Sequence, residues 1–135
     1  MNRLRALASL AAVLGLTIAL ATPAMAGDIV APSATRSPVG DWVTRTSGVK
    51  QTATFTKDGK VFGNAGCNQF TGAYTTNGSE ITIGPLATTL MMCEQNVMDA
   101  EATFLVRLQA AVGFDAKPKT LKIFAPKDLV QFAKR

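Results

Sequence analysis

Thr52–Gly63, TATFTKDGKVFG, sets small and polar residues against aromatic and branched ones on either side of an Asp-Gly pair. Such alternation marks a half-buried strand, and Asp-Gly between two runs marks a tight hairpin. With Asp58 and Gly59 as the two central residues of a type I′ turn, Lys57 pairs with Lys60 and Phe55 with Phe62. Directly paired residues share a sheet face. Ala53, Phe55 and Phe62 are therefore expected to point inward, and Thr54, Thr56 and Val61 outward.

Asn77-Gly78 gives a second signal of the same kind. It pairs Tyr74 with Ile81 and Gly72 with Ile83. One apolar face then carries Tyr74, Ile81 and Ile83, opposite Thr75, Glu80 and Thr82. Gly84-Pro85 ends this strand, because proline cannot donate to a ladder. Leu86–Cys93 reads as a further extended segment, although TLMMC also suits a buried turn of helix. Asn96–Val112 has the 3.6-residue period of an amphipathic helix, with Val97, Phe104, Leu105, Leu108, Ala111 and Val112 on one stripe. Asn96 is the expected N-cap, Asp99 its weak capping-box partner and Gly113 the C′ residue. Glu101 falls at the edge of the stripe, where a bond to the sheet would orient the helix. Two extended runs close the chain, Thr120–Phe124 and Leu129–Ala133, with APKD as their turn.

Hairpin, hairpin, helix, hairpin is an α+β fold. A small antiparallel sheet curls on itself or closes into a barrel, with one packed α-helix. Short strands at regular spacing favour the barrel, since a flat sheet would leave long open edges. Trp42, the sole tryptophan, stands where the fold begins and reads as core.

Residues 1–26 carry Arg3 and Arg5, an uncharged apolar run over 6–20, and Ala24-Met25-Ala26 before Gly27. That is the pattern of a secretory signal peptide, and the run is short of the roughly 20 residues a spanning helix needs. Residues 27–38, rich in Pro, Ser, Ala and Thr, read as a flexible leader, and 39–135 as the folded domain. No transmembrane segment is expected once the signal is removed. Losing Arg3 and Arg5 lowers the formal charge from +5 to +3. That is ordinary surface solubility, and nucleic acid is excluded as a partner for an exported chain. Weak attraction to anionic lipid or cell-wall polymer stays open.

The sequence has no histidine, which removes Ser-His-Asp and Cys-His catalysis and histidine-bound metal. Two cysteines make no Cys₄ or Cys₃His zinc site. No catalytic residue, metal ligand or cofactor is assigned; a pair of carboxylates meeting in space is the remaining route to a hydrolase. In an exported chain, Cys67 and Cys93 favour a disulfide, with two buried free thiols as the alternative. Gly63, Gly66 and Gly72 around Cys67 suit bulges or close backbone crossings, and Asn68 suits an Asx turn.

Gly66-Cys67-Asn68, Gly72-Ala73-Tyr74, Gly84-Pro85-Leu86-Ala87-Thr88-Thr89, Met92-Cys93 and Met98-x-x-Glu101-x-x-Phe104-Leu105-x-x-Leu108 follow one another in order. Together they resemble the META/HslJ domain family of heat-shock-associated bacterial envelope proteins. The resemblance spans Val39 to about Phe132. It implies a small exported domain without established enzymatic activity, associated with envelope stress and tolerance of some antibiotics. The family's recurring residues fall on Cys67, Asn68, Gly72, Tyr74, Gly84, Pro85, Cys93, Glu101 and Phe104. Many relatives are lipoproteins, whereas this signal has no lipobox cysteine, so a soluble periplasmic or secreted monomer is expected. Its partner would be an envelope protein or envelope ligand. An inhibitor or chaperone-like role toward another envelope protein is the alternative function.

Overall fold

The computed structural model describes residues 37–135. The expected signal peptide, and the leader up to residue 36, lie outside them. Pro38, at the leader's end, is buried, and its carbonyl accepts the Trp42 indole N–H at 2.7 Å.

Among the described residues nine strands and one helix follow in order: β1 Gly40–Thr46, β2 Val49–Phe55, β3 Lys60–Asn64, β4 Gln69–Asn77, β5 Glu80–Ile83, β6 Ala87–Thr88, α1 Gln95–Gln109, β7 Gly113–Lys117, β8 Thr120–Ala125 and β9 Asp128–Lys134. All pairings are antiparallel. The order β3-β2-β1-β9-β8-β7-β5-β4 closes through β3–β4 into an eight-stranded barrel, with β6 as a short addition on β4. Eight strands enclose a space that side chains can fill. Trp42, Phe55, Phe70, Ile81, Leu121, Ile123 and Phe132 fill it, together with Phe104 and Leu108 of α1. A closed barrel is entered only at an end or through a gap in its wall, so α1 is the plug. Phe104 is its centre, edge-on to Phe70 at 5.8 Å and to Phe132 at 6.1 Å.

The first hairpin departs from its expected register. Phe55 pairs with Val61 and Thr54 with Phe62. The loop has three residues, Lys57, Asp58 and Gly59, closed by Gly59 N–H to Thr56 O at 3.2 Å and Thr56 N–H to Lys60 O at 2.9 Å. Only Gly59 has positive φ, +78°. A three-residue loop needs one left-handed residue, whereas a type I′ turn would force Asp58 there too. The added residue flips the faces of β3. Val61 is fully buried and Phe62 is 43% exposed, the reverse of the expectation.

In the second hairpin Tyr74 pairs with Ile83 and Asn77 with Glu80, so the loop is Gly78-Ser79, with positive φ at Gly78 alone. Gly72 pairs with Val61 instead of Ile83. A two-residue slip keeps the faces, and Tyr74, Ile81 and Ile83 are all buried. Two further elements go beyond the expected hairpins and helix. Ser47-Gly48, with φ of 49° and 82°, turns β1 into β2. Residues 113–117 form β7, so Gly113 begins a strand and is not the helix C′ residue. The helix runs Gln95–Gln109 with Glu94 at its N-cap, so Asn96 lies inside it and Asp99 caps nothing; the Asp99 carboxylate accepts instead from Gln95 Nε2 at 2.7 Å. Val112 lies beyond the helix and is exposed.

Tyr74 ties β4 to the end of β2. Its hydroxyl donates to Thr56 O at 2.7 Å, and its ring meets Phe55 edge-on at 5.1 Å. Burial raises the phenol above its usual 10.0, and the Asp58 carboxylate adds to this. A folded-state pKa raised in this way gives stability that is complete below pH 10 and lost as pH rises through the raised value. Tyr74 is the only tyrosine, so tyrosinate absorbance should show one titration above pH 10, with thermal stability falling in step. Tyr74→Phe should cost about 1 kcal/mol near neutral pH and flatten that alkaline decline. A phenol titrating at its usual value would refute the assignment.

Candidate functional site

The turn from β3 to β4, residues 65–68, has no strand to face. Ala65 N–H donates to Asn68 O at 2.8 Å, and Gly66 N–H to Asn64 Oδ1 at 2.8 Å, so the Asx turn belongs to Asn64 and not to Asn68. Gly66 sits at φ +129°, where a Cβ would also lie 2.9 Å from Val49 Cγ1. This backbone aims the N–H groups of Cys67 and Asn68 at α1. Glu101 Oε2 accepts both, at 3.0 and 2.6 Å, and Glu101 Oε1 accepts Asn68 Nδ2 at 2.7 Å. Glu101 is only 6% exposed and Asn68 3%, so Glu101 is buried rather than at the edge of the helix stripe.

Asn68 faces a second way. Its Oδ1 accepts from Thr89 Oγ1 at 2.8 Å and from Met91 N–H at 2.6 Å, while Nδ2 donates to Met91 O at 3.2 Å. The carboxamide thus meets Met91 as a facing strand would. Thr89 N–H donates to Gln69 O at 3.1 Å. Cys93 is bonded to Cys67 with S–S 2.05 Å. The segment is therefore pinned at residues 89, 91 and 93. Met91 is held by its main-chain groups, and Leu90, Met91 and Met92 are 93%, 56% and 88% exposed. The buried helical turn considered for TLMMC does not form, and strand pairing stops at Ala87–Thr88.

Of the nine family-motif residues, the fold gathers Cys67, Asn68, Cys93 and Glu101 into this one knot. Gly72, Gly84 and Pro85 meet on the wall, where a Cβ on Gly72 would lie 2.6 Å from Leu86 Cδ2 and 3.0 Å from Pro85 O. Tyr74 and Phe104 stand apart in the core. Gln51, which no motif marks, is fully buried; its Nε2 donates to Ala100 O at 3.1 Å and its Oε1 accepts from Thr46 Oγ1 at 2.8 Å. Alternation with Ala53 and Phe55 places Gln51 on the inward face, so a signal existed. No sequence signal marks the main chain of Met91.

The knot is built for holding. Both Glu101 oxygens accept N–H donors, and both sulfurs are in the disulfide, which leaves no thiolate. Among the described residues no group of three or more His, Cys, Asp or Glu could hold a metal ion, and no helix is long and apolar enough to cross a membrane.

The META domain family model matches residues 38–135. Among curated proteins, none matches the chain. A Burkholderia xenovorans protein solved by NMR is similar in fold at 19% identity and TM-score 0.59, over 71% of this chain and 81% of that one. A second NMR structure gives 19% identity and TM-score 0.56, over 70% and 87%. At this identity the likeness is one of fold.

Glu101→Gln places an amide where one oxygen accepts a buried N–H. It should cost about 1–3 kcal/mol per donor left unpaired, read by urea unfolding. Cys67→Ser or Cys93→Ser should each cost about 2–5 kcal/mol, and the double variant little more, since the bond is lost once. Additive costs would contradict a shared bond.

Proposed function

The chain belongs to the META domain family, and from that premise we propose that it is an exported, non-catalytic module of the cell envelope whose recognition element is the pinned loop Leu90–Met92. One observation carries this reading: three consecutive apolar side chains are kept in water by bonds at residues 89, 91 and 93. An unconstrained segment of this composition would fold back onto apolar surface, and exposed apolar clusters mark interaction sites. The disulfide suits an oxidising compartment outside the cytoplasm. The partner is an envelope protein or envelope ligand, and binding it supports tolerance of envelope stress. The loop's rigidity also favours the second reading, an inhibitor or chaperone-like partner that inserts the loop into another envelope protein.

The double variant Leu90→Ser, Met92→Ser tests this. Both side chains are exposed, so its thermal midpoint should match the parent's. Introduced into cells lacking the chain, it should fail to restore tolerance that the parent restores. Restoration at parental level would remove the loop from the function. The exported parent should have the intact mass of residues 27–135 without a lipid adduct; a retained residue 1 would count against export by cleavage.

A further inference from the structure

The outer wall of the barrel holds a groove whose lining includes none of Leu90–Met92. β2 and β3 pair only at Thr54 with Phe62 and Phe55 with Val61. Beyond that point their backbones meet so closely that a Cβ on Gly63 would lie 2.0 Å from Thr52 O. Asn64 N–H then turns to Thr52 Oγ1 at 3.1 Å, while β3 stays on β4 as far as Asn64 with Gln69. Irregular pairing of this kind re-aims side chains and recurs beside binding sites. Here it opens a groove of about 440 Å³ bordered by Lys50, Thr54, Phe62, Asn64, Gln69 and Arg135.

The border has a consistent chemistry. Phe62 stands outward and 43% exposed, because the three-residue loop before it reverses the faces of β3. Neither Lys50 nor Arg135 is in an ion pair among the described residues, where the cations so engaged are Lys60, Arg107 and Lys117. Asp41, the carboxylate behind Thr54, accepts from Thr54 Oγ1 at 2.7 Å. Asn64 Nδ2 and the Gln69 carboxamide bond to no described residue, so both are available to a ligand.

We propose that this groove binds an acidic saccharide. The Phe62 ring offers an apolar face to a sugar ring, the Asn64 and Gln69 amides offer donors and an acceptor to hydroxyls, and Lys50 and Arg135 offer charge to a carboxylate or phosphate. A peptide strand is the poorer occupant. It gains most of its affinity by adding to a free sheet edge, and here the facing edges of β2 and β3 are closed on each other, with Gly63 against Thr52 O and Asn64 N–H on Thr52 Oγ1.

Amide chemical shifts of the exported chain, titrated with an oligogalacturonate and with a maltooligosaccharide of equal length, test the proposal. The acidic oligomer alone should shift the amides of residues 50–64 and Gln69, and added salt should weaken it. Phe62→Ala, and separately Lys50→Gln with Arg135→Gln, should each weaken it by roughly tenfold. The two charge substitutions lie at exposed positions and keep the test valid where Phe62→Ala unfolds the chain. The Leu90→Ser, Met92→Ser variant should bind as the parent does, which separates this groove from the loop. No shift, equal shifts with the neutral oligomer, or tighter binding of polyglutamate would each overturn the proposal, the last by assigning the groove to an acidic protein segment.

Discussion

The carboxylate of Glu101 fixes how the plug meets the barrel. The β3–β4 turn leaves the N–H groups of Cys67 and Asn68 without a strand to receive them, and both are buried. An unpaired buried N–H costs about 1–3 kcal/mol, so a fold that encloses this turn must supply acceptors. Glu101 supplies them from the middle of a helix, with no flexible loop between donor and acceptor. The same contact that satisfies the turn therefore sets both the rotation and the height of α1 over the barrel.

That matters because α1 has little to hold it in place locally. No side chain caps its N-terminus, and no acidic residue stands in its first turn. A helix of 15 residues is marginal in isolation, being near the roughly 12–15 at which water begins to tolerate one. Its position rests on long-range contacts. The disulfide ends at Cys93, just before Gln95; Gln51 bonds the Ala100 carbonyl; Phe104 sits between Phe70 and Phe132; and Arg107 meets Asp128 at 2.6 Å. The ion pair is half-exposed and contributes the least of these. The caps expected at Asn96 and Gly113 fail for the same reason. The disulfide and the β7 ladder, rather than local propensity, decide where the helix begins and ends.

The class of fold was legible because faces follow from parity. Ala53, Phe55, Tyr74, Ile81 and Ile83 are inward as alternation requires. Registers were less legible, because Asp-Gly and Asn-Gly each allow more than one loop length. A slip of two left β4 and β5 unharmed, while a slip of one exchanged Val61 and Phe62. Strand β7 was hidden by Ala111 and Val112, which continue the helical period although the chain has already turned toward β8. Of the knot, the side chains were visible in the motifs. Their meeting was not, since four of the six hydrogen bonds that Glu101 and the Asn68 side chain make use main-chain atoms whose direction the sequence does not encode.

The knot also makes surface and core one mechanical unit. From Phe104 in the barrel, the helix carries Glu101; Glu101 holds Asn68; Asn68 holds Met91 by both of its main-chain groups. Leu90 and Met92 flank that residue, so their positions in water are set by contacts that begin in the core. A loop ordered before binding loses less conformational entropy when it binds, which favours affinity from few contacts. Constraint of the loop and satisfaction of the buried turn use the same Asn68 side chain. Any residue there that satisfied only one of them would leave either an open N–H beneath the helix or a slack loop above it.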